Sequence, residues 1–214
     1  MKLGLVADVH ADANALRRAL DWLDALGAEA VLCAGDLVDY GFWPDETISL
    51  IRARGILCVR GNHDRKLVAR PPHKRKPRHS DPAAISLTNL DYLRALPVSH
   101  AGRYGGLRVV VCHAAPDDDE AWVHPAFCSP ADMAAMLRKA GADVLISGHI
   151  HLPVCVETPA GLLINPGSLF VEQNAGRLTS RTFGLLDAVT LDYRLFDVES
   201  GAEHTATSWP WWDT

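Results

Sequence analysis

Short apolar, β-branched runs alternate with segments of helical period along the first sixty residues. Lys2 to Ala7 predicts a strand. From Ala13 to Leu26, Leu16, Leu20 and Leu23 recur on one helical face, with Asp12 placed to cap the start and Gly27 to stop the end. Ala30 to Ala34 predicts a second strand. Pro44 to Arg54 predicts a second helix, with Pro44 near its first position and Gly55 just past its end. Ile56 to Arg60 predicts a third strand. Strand–helix–strand–helix–strand is the signature of a parallel α/β sheet.

The rhythm then breaks. Residues 65–83 are rich in Pro, Lys, Arg and His and show no period. A helical stretch follows from Leu87 to Leu96, with Leu90, Leu93 and Leu96 on one face. The pattern makes 65–105 a lid-like insertion over one edge of a single domain spanning 1–214. Leu107 to Cys112 resumes the strands, Ser129-Pro130 opens a helix to Lys139, and Val144 to Ile146 is again a strand. Runs at Val154–Thr158, Leu162–Ile164, Phe183–Asp187 and Tyr193–Val198 follow with no helical period between them, which predicts antiparallel hairpins and a second sheet.

Composition narrows the class without choosing the chemistry. A chain of 214 residues with 48% hydrophobic and 22% charged residues is ordinary for one globular core. The formal charge of −5 argues against a nucleic-acid binder that relies on net charge, though not against a local basic patch. Asp8, His10 and Asp12 interrupt the first apolar run too early for a signal peptide. No run approaches the roughly 18 apolar residues of a membrane span. Cys33, Cys58, Cys112, Cys128 and Cys155 form no C-x-x-C pair, which reads as reduced thiols in a cytoplasmic protein rather than a zinc-thiolate site.

Five strand runs end in polar clusters. The first ends in Asp8-Val9-His10, the second in Gly35-Asp36 and the third in Gly61-Asn62-His63-Asp64. The next two end in Cys112-His113 and Gly148-His149-Ile150-His151. Ligands of open α/β sheets bind at the carboxyl ends of the strands, so five such ends point to one shared site. A strand period of two would put Asp8 with His10, and His149 with His151, on the same side. Carboxylate, imidazole and one amide oxygen, without thiolate, suit Mn²⁺, Fe or Zn²⁺ better than Ca²⁺, and Ni²⁺ belongs to the same group of alternatives. Each motif alone is weak; a lone D-x-H or G-D is more often a turn. Their order and placement at strand ends carry the signal.

The ordered series Asp8-x-His10, Gly35-Asp36, Gly61-Asn62-His63-Asp64, His113 and Gly148-His149-x-His151 resembles the calcineurin-like metallophosphoesterase superfamily, and the compact length resembles its small prokaryotic phosphodiesterase branch. The resemblance runs from residue 1 to about 170 and includes Asn165-Pro166-Gly167-Ser168. It implies an α/β fold, a four-layer αββα sandwich of two mixed sheets flanked by helices. It also implies two divalent metal ions, Mn²⁺ first. Carried onto this chain, one ion takes Asp8, His10, Asp36 and His151, and the second takes Asp36, Asn62, His113 and His149, so that Asp36 bridges. His63 is then the acid facing the leaving group and Asp64 orients it. Two positions depart from the common pattern: Asp12 stands where many relatives have Asn, and Ala114 where Gly is frequent.

The implied function is hydrolysis of phosphate esters, chiefly phosphodiesters, by in-line attack of a hydroxide held between the ions, on a small phosphorylated substrate with nucleotides among the candidates. A nucleotidase or dinucleotide polyphosphate hydrolase is the alternative within enzymes. A non-catalytic metal-binding scaffold is the alternative outside them, and the complete ligand set with His63 argues against it. The basic run from Pro71 to His79 is expected to be a solvated loop rather than a substrate or nucleic-acid funnel. Asp117-Asp118-Asp119-Glu120 is expected to be a solvated acidic loop, and Trp122 and His124 are candidates for the rim of the site. Trp209, Trp211 and Trp212 are expected to pack against the core or a partner subunit.

Overall fold

Alternation along the first strand sets the layering: Leu3, Leu5 and Ala7 face one apolar cluster, and Val6 faces another. The computed structural model describes residues 1–70, 85–171 and 181–204, with the backbone of two further short strands. The elements in chain order begin with β1 (Lys2–Val6), α1 (Ala13–Ala25), β2 (Ala30–Cys33), α2 (Pro44–Ala53), β3 (Leu57–Cys58), α3 (Asn62–Ala69) and α4 (Leu87–Ala95). They continue with β4 (Ser99–Tyr104), β5 (Leu107–Cys112), α5 (Pro130–Ala140), β6 (Val144–Ile146), β7 (Pro153–Thr158) and β8 (Gly161–Pro166). The last are β9 (Gln173–Asn174), β10 (Arg177–Leu178), β11 (Thr182–Asp187) and β12 (Tyr193–Asp197).

Two mixed five-stranded sheets result, ordered β12-β11-β1-β2-β3 and β4-β5-β6-β8-β7. They face each other across Leu3, Leu5, Leu32, Val109, Val111, Ile146 and Ile164. Helices α1 to α4 cover the first sheet through Leu16, Leu20, Leu23, Ile48, Ile51, Leu67, Leu90 and Leu93. Helix α5 covers the second through Met133 and Leu137. The layers are therefore helix, sheet, sheet, helix, as the resemblance implies. Asp12 caps α1 through Ala15 N at 2.9 Å, and Ser129 caps α5. No helix among the described residues is long and apolar enough to cross a membrane.

Three expectations differ from the structure. The terminal hairpins do not build the second sheet by themselves: β7–β8 joins it, whereas β11–β12 extends the first sheet beside β1 in antiparallel register. Alternation marks a strand but not its partner, so pairing was not readable. The third strand is only two residues long, and Asn62 already begins α3. Finally, the described parts of 65–105 are built into the fold. Buried Asn89 of α4 donates to Asp45 Oδ1 at 2.7 Å and Ser49 Oγ at 2.9 Å on α2, and β4 is the edge strand of the second sheet. The basic run 71–79 and the tryptophans at 209, 211 and 212 lie outside the described residues.

This placement predicts that Leu93→Ala destabilises the protein by about 2–5 kcal/mol, the ordinary loss for a leucine with 0% exposure in a core. Urea unfolding measures it; a loss below about 1 kcal/mol would return α4 to the status of a lid.

Candidate metal centre

The ladder between β1 and β2 ends at Val6 and Cys33, and the chain beyond it leaves strand geometry. Neighbouring loops take over the hydrogen bonds: Asp8 N donates to Gly35 O at 3.0 Å, His10 N to Asp36 O at 2.9 Å and Ala11 N to Leu37 O at 2.9 Å. The backbone turns left-handed at Asp8 (φ 50°), His10 (46°), Asp36 (55°), His149 (73°) and His151 (56°). Strand alternation therefore does not bring Asp8 to His10 or His149 to His151, as the sequence led us to expect. Left-handed turns beyond the strand ends bring Asp8 and His10 together, and they part His149 from His151, whose rings face His113 and His10 respectively.

The convergence itself is as expected. Asp8, His10 and His151 bring one donor atom each within 4.8 Å of one another, and so do Asp8, Asp36 and His113. His10 Nε2 lies 2.9 Å from His151 Nε2 and 3.8 Å from Asp36 Oδ2. On the other side of the same carboxylate, His113 Nε2 lies 3.2 Å from Asp36 Oδ2 and 3.1 Å from Asn62 Oδ1. The His149 ring packs 5.3 Å from that of His113, and its backbone N–H donates to the Asp8 carboxylate at 2.9 Å. Asp36 thus stands between the two donor groups, and Asp8 reaches both.

Surrounding groups fix which atoms face inward. His10 Nδ1 meets Val38 O at 3.0 Å and His113 Nδ1 meets Ala34 O at 2.7 Å, so each ring spends its Nδ1–H on a carbonyl and turns Nε2 to the centre. Asn62 Nδ2 donates to Glu120 Oε1 at 3.3 Å, which turns Oδ1 toward His113. His63 N, in the first turn of α3, donates to Asp36 Oδ1 at 2.8 Å. Gly61 is required there, since a Cβ would fall 2.0 Å from Asp36 Oδ1. This set of imidazole nitrogens, carboxylates and an amide oxygen fits divalent first-row ions. None of the five cysteines belongs to it.

The charges fit as well. Burial pushes the Asp8 carboxyl up to about 6, against the opposing pull of His151 and His113. Burial pushes His10 down to about 3, outweighing the charge of Asp36, so its ring is neutral. Burial would raise Asp36, but His113, by charge and hydrogen bond, and then His10 hold its carboxyl well below the usual range. Burial would lower His113, but Asp36 holds it up to about 10. Asp36 and His113 thus favour each other's charged form, with Nε2 facing both Asp36 Oδ2 and Asn62 Oδ1. A metal ion taking those same three atoms would compete with protonation of His113.

The partner of His63 is corrected. Its Nδ1 lies 2.8 Å from Asp39 Oδ2, not on Asp64. Asp64 is fully buried and accepts from Asp36 N (3.0 Å), Leu37 N (2.9 Å) and Gly61 N (3.0 Å). It knots the β2 loop to the start of α3. The reason is helical geometry: neighbours on a helix point about 100° apart, so Asp64 cannot lie alongside His63. Burial would lower the His63 imidazole, but the hydrogen bond to Asp39 and the charges of Asp36 and Asp39 outweigh it and raise its pKa.

The acidic run is solvated as expected, with Asp117, Asp118 and Glu120 exposed, but it is also tied to α3. Asp119 takes Arg65 through two bonds of 2.6 and 2.9 Å, and Glu120 pairs with Lys66 as well as Asn62. Trp122 is 61% exposed, and His124 turns into its own loop, where Nδ1 accepts from Ala126 N at 3.0 Å. A different set of aromatics stands beside the centre: the Tyr40 ring is 4.6 Å from His10 and 4.9 Å from His63, and Phe170 is 5.8 Å from His10. Sequence reading missed Asp39, Tyr40, Phe170 and Glu120. For Asp39 the available signal was its position three residues after Asp36; the others had none.

The profile of the Calcineurin-like phosphoesterase superfamily domain matches residues 1–190. An uncharacterised protein of Methanocaldococcus jannaschii is 27% identical over 178 residues, which cover 80% of this chain and 71% of that one. A metallophosphoesterase from Sphaerobacter thermophilus superposes with a TM-score of 0.73 at 22% identity, over 97% of this chain and 91% of its own. An archaeal phosphodiesterase superposes with a TM-score of 0.57 at 20% identity, over 92% and 99%. At these identities the two structures speak for the fold.

The two aspartates should separate in stability. Asp64→Ala strands three buried N–H donors and should cost at least about 3 kcal/mol, whereas Asp39→Ala removes one side-chain bond and should cost about 1 kcal/mol. Chemical denaturation of both variants checks this, and equal losses would remove Asp64 from its structural role.

Proposed function

The chain belongs to the calcineurin-like phosphoesterase superfamily, and from that premise we propose that it hydrolyses phosphate esters, chiefly phosphodiesters, with two divalent ions and His63 as general acid. The ions would be held by Asp8, His10, Asp36 and His151 on one side and by Asp36, Asn62, His113 and His149 on the other. Mn²⁺ suits this set first, with Fe, Zn²⁺ and Ni²⁺ as alternatives. Bound there, they supply the Lewis acidity that makes a nucleophile from water near neutral pH and neutralises charge on the phosphoryl group.

The observation that carries the reading is the placement of His63. Its backbone N–H rests on Asp36 Oδ1, its ring meets that of His10 edge-on at 5.1 Å, and its Nδ1 is held by Asp39. Nδ1 is thereby committed, and Nε2–H is the proton available to a departing oxygen. The Tyr40 hydroxyl lies 3.4 Å from Nε2 and helps to set the ring plane. The hydrogen bond and charge of Asp39 favour the charged ring and raise its pKa, the direction a proton donor needs. A pure binding scaffold has no use for such a dyad beside its donor set, which supports an enzyme.

Two outcomes are expected. Chelation should abolish hydrolysis of bis(p-nitrophenyl) phosphate and Mn²⁺ should restore it; metal-stripped protein that keeps full activity would sink the reading. His63→Asn should keep both ions by elemental analysis yet lose kcat by about 10²–10⁴-fold on an alkyl ester. The loss should shrink on a nitrophenyl ester, which needs little protonation. Equal losses on both esters, or loss of metal, would remove His63 from the acid role.

A further inference from the structure

Tyr40 is 42% exposed, and Phe42 and Trp43 beside it are 66% and 43% exposed. Of the three, Tyr40 stands beside the polar centre, and an exposed aromatic face there is a surface on which a flat ligand group can lie. Tyr40 and Phe170 lie nearly parallel, 23° between planes and 5.8 Å between centroids. Both rings contact His10, and Tyr40 contacts His63.

Both rings are also anchored to the segment that carries Asp8 and His10. Gly41 N donates to His10 O at 2.9 Å and Trp43 N to Ala11 O at 3.0 Å. A Cβ on Gly41 would fall 2.3 Å from His10 O, so only glycine lets the loop come this close. Tyr40 itself is held left-handed at φ 63°, a strained backbone for a bulky residue. On the other side, Phe170 N donates to Ser168 Oγ at 2.9 Å, and that hydroxyl donates to Asp8 O at 2.9 Å. Strain and anchoring hold two rings at the mouth of the centre, on the side of the acid.

We propose that Tyr40 and Phe170 form a stacking shelf that selects phosphoesters bearing a flat aromatic group, a nucleobase or an aryl ring, on the leaving-group oxygen. This rests on the phosphoesterase reading, because that reading makes the His63 side the leaving-group side. Stacking tolerates any flat ring, so the shelf sets a class of substrate rather than one compound.

Direct binding to the full chain loaded with Mn²⁺ tests it, by calorimetry with AMP, phenyl phosphate and ribose 5-phosphate. AMP or phenyl phosphate should bind about 5- to 100-fold tighter than ribose 5-phosphate, the range for one stacked base. The stronger of the two identifies the ring. Phe170→Leu should remove most of that preference and leave ribose 5-phosphate unchanged, and Tyr40→Asn, a residue that tolerates a left-handed backbone, should remove most of the preference as well. Tyr40→Phe should keep the preference, since it keeps the ring. Equal binding of all three ligands by the wild type, or a preference that survives loss of both rings, overturns the shelf. A preference without any ester hydrolysis would instead sink the phosphoesterase reading and leave the shelf standing.

Discussion

A single buried carboxylate organises this molecule. Asp36 is 1% exposed, and an isolated charge there would be prohibitively costly. Its environment is arranged to keep it charged. The first turn of α3 gives it the His63 N–H, His113 gives it an imidazolium, and neutral His10 stands on its other side. The loop that carries it is held from behind by Asp64, which takes the N–H groups of Asp36 and Leu37. Removing the charge would leave those oriented donors without purpose, whereas a metal ion in place of the His113 proton would keep the carboxylate paired with a positive charge.

Such an arrangement is strained. Asp8, His10, Ala11, Asp36, Asp39, Tyr40, His149 and His151 all have left-handed backbones. Residues held in such sparsely populated regions cost about 1–3 kcal/mol each. The strain is confined to segments just past strand ends, where loop-to-loop hydrogen bonds replace the ladder. The apolar contacts between the two sheets offset it and hold the candidate ligands in place.

The same geometry explains what could be read from the sequence. The convergence of the seven proposed ligands on one place was legible because metal chemistry restricts residue type and five strand ends repeated the signal. The strand–helix order was legible through Asp64, because its layers follow from hydrophobic period. The role of Asp64 was not, because Gly61-Asn62-His63-Asp64 reads as one cluster, while the start of a helix turns Asp64 back onto Gly61 N and away from His63. Asp39 was hidden for the complementary reason: a left-handed turn at φ 69°, invisible in composition, swings it under the ring. The partners of β11 and β12 and the structural role of α4 were hidden because apolar periodicity reports a buried face without saying against what.

The site also straddles the two sheets. Asp8, His10, Asp36, Asn62 and His63 follow strands β1, β2 and β3 of the first sheet, whereas His113, His149 and His151 follow β5 and β6 of the second. Each donor group therefore mixes ligands from both layers, His151 with Asp8 and His10, and His113 with Asp36. Below the site, the sheets are joined by non-directional packing of Leu3, Leu5, Leu32, Val111 and Ile146, which tolerates small slides. Ions bound across the seam would not tolerate them, because ligand distances are narrow. Metal binding and the register of one sheet on the other would thus be one equilibrium: by linkage, ions held there would stabilise the sandwich as the sandwich preorganises their ligands.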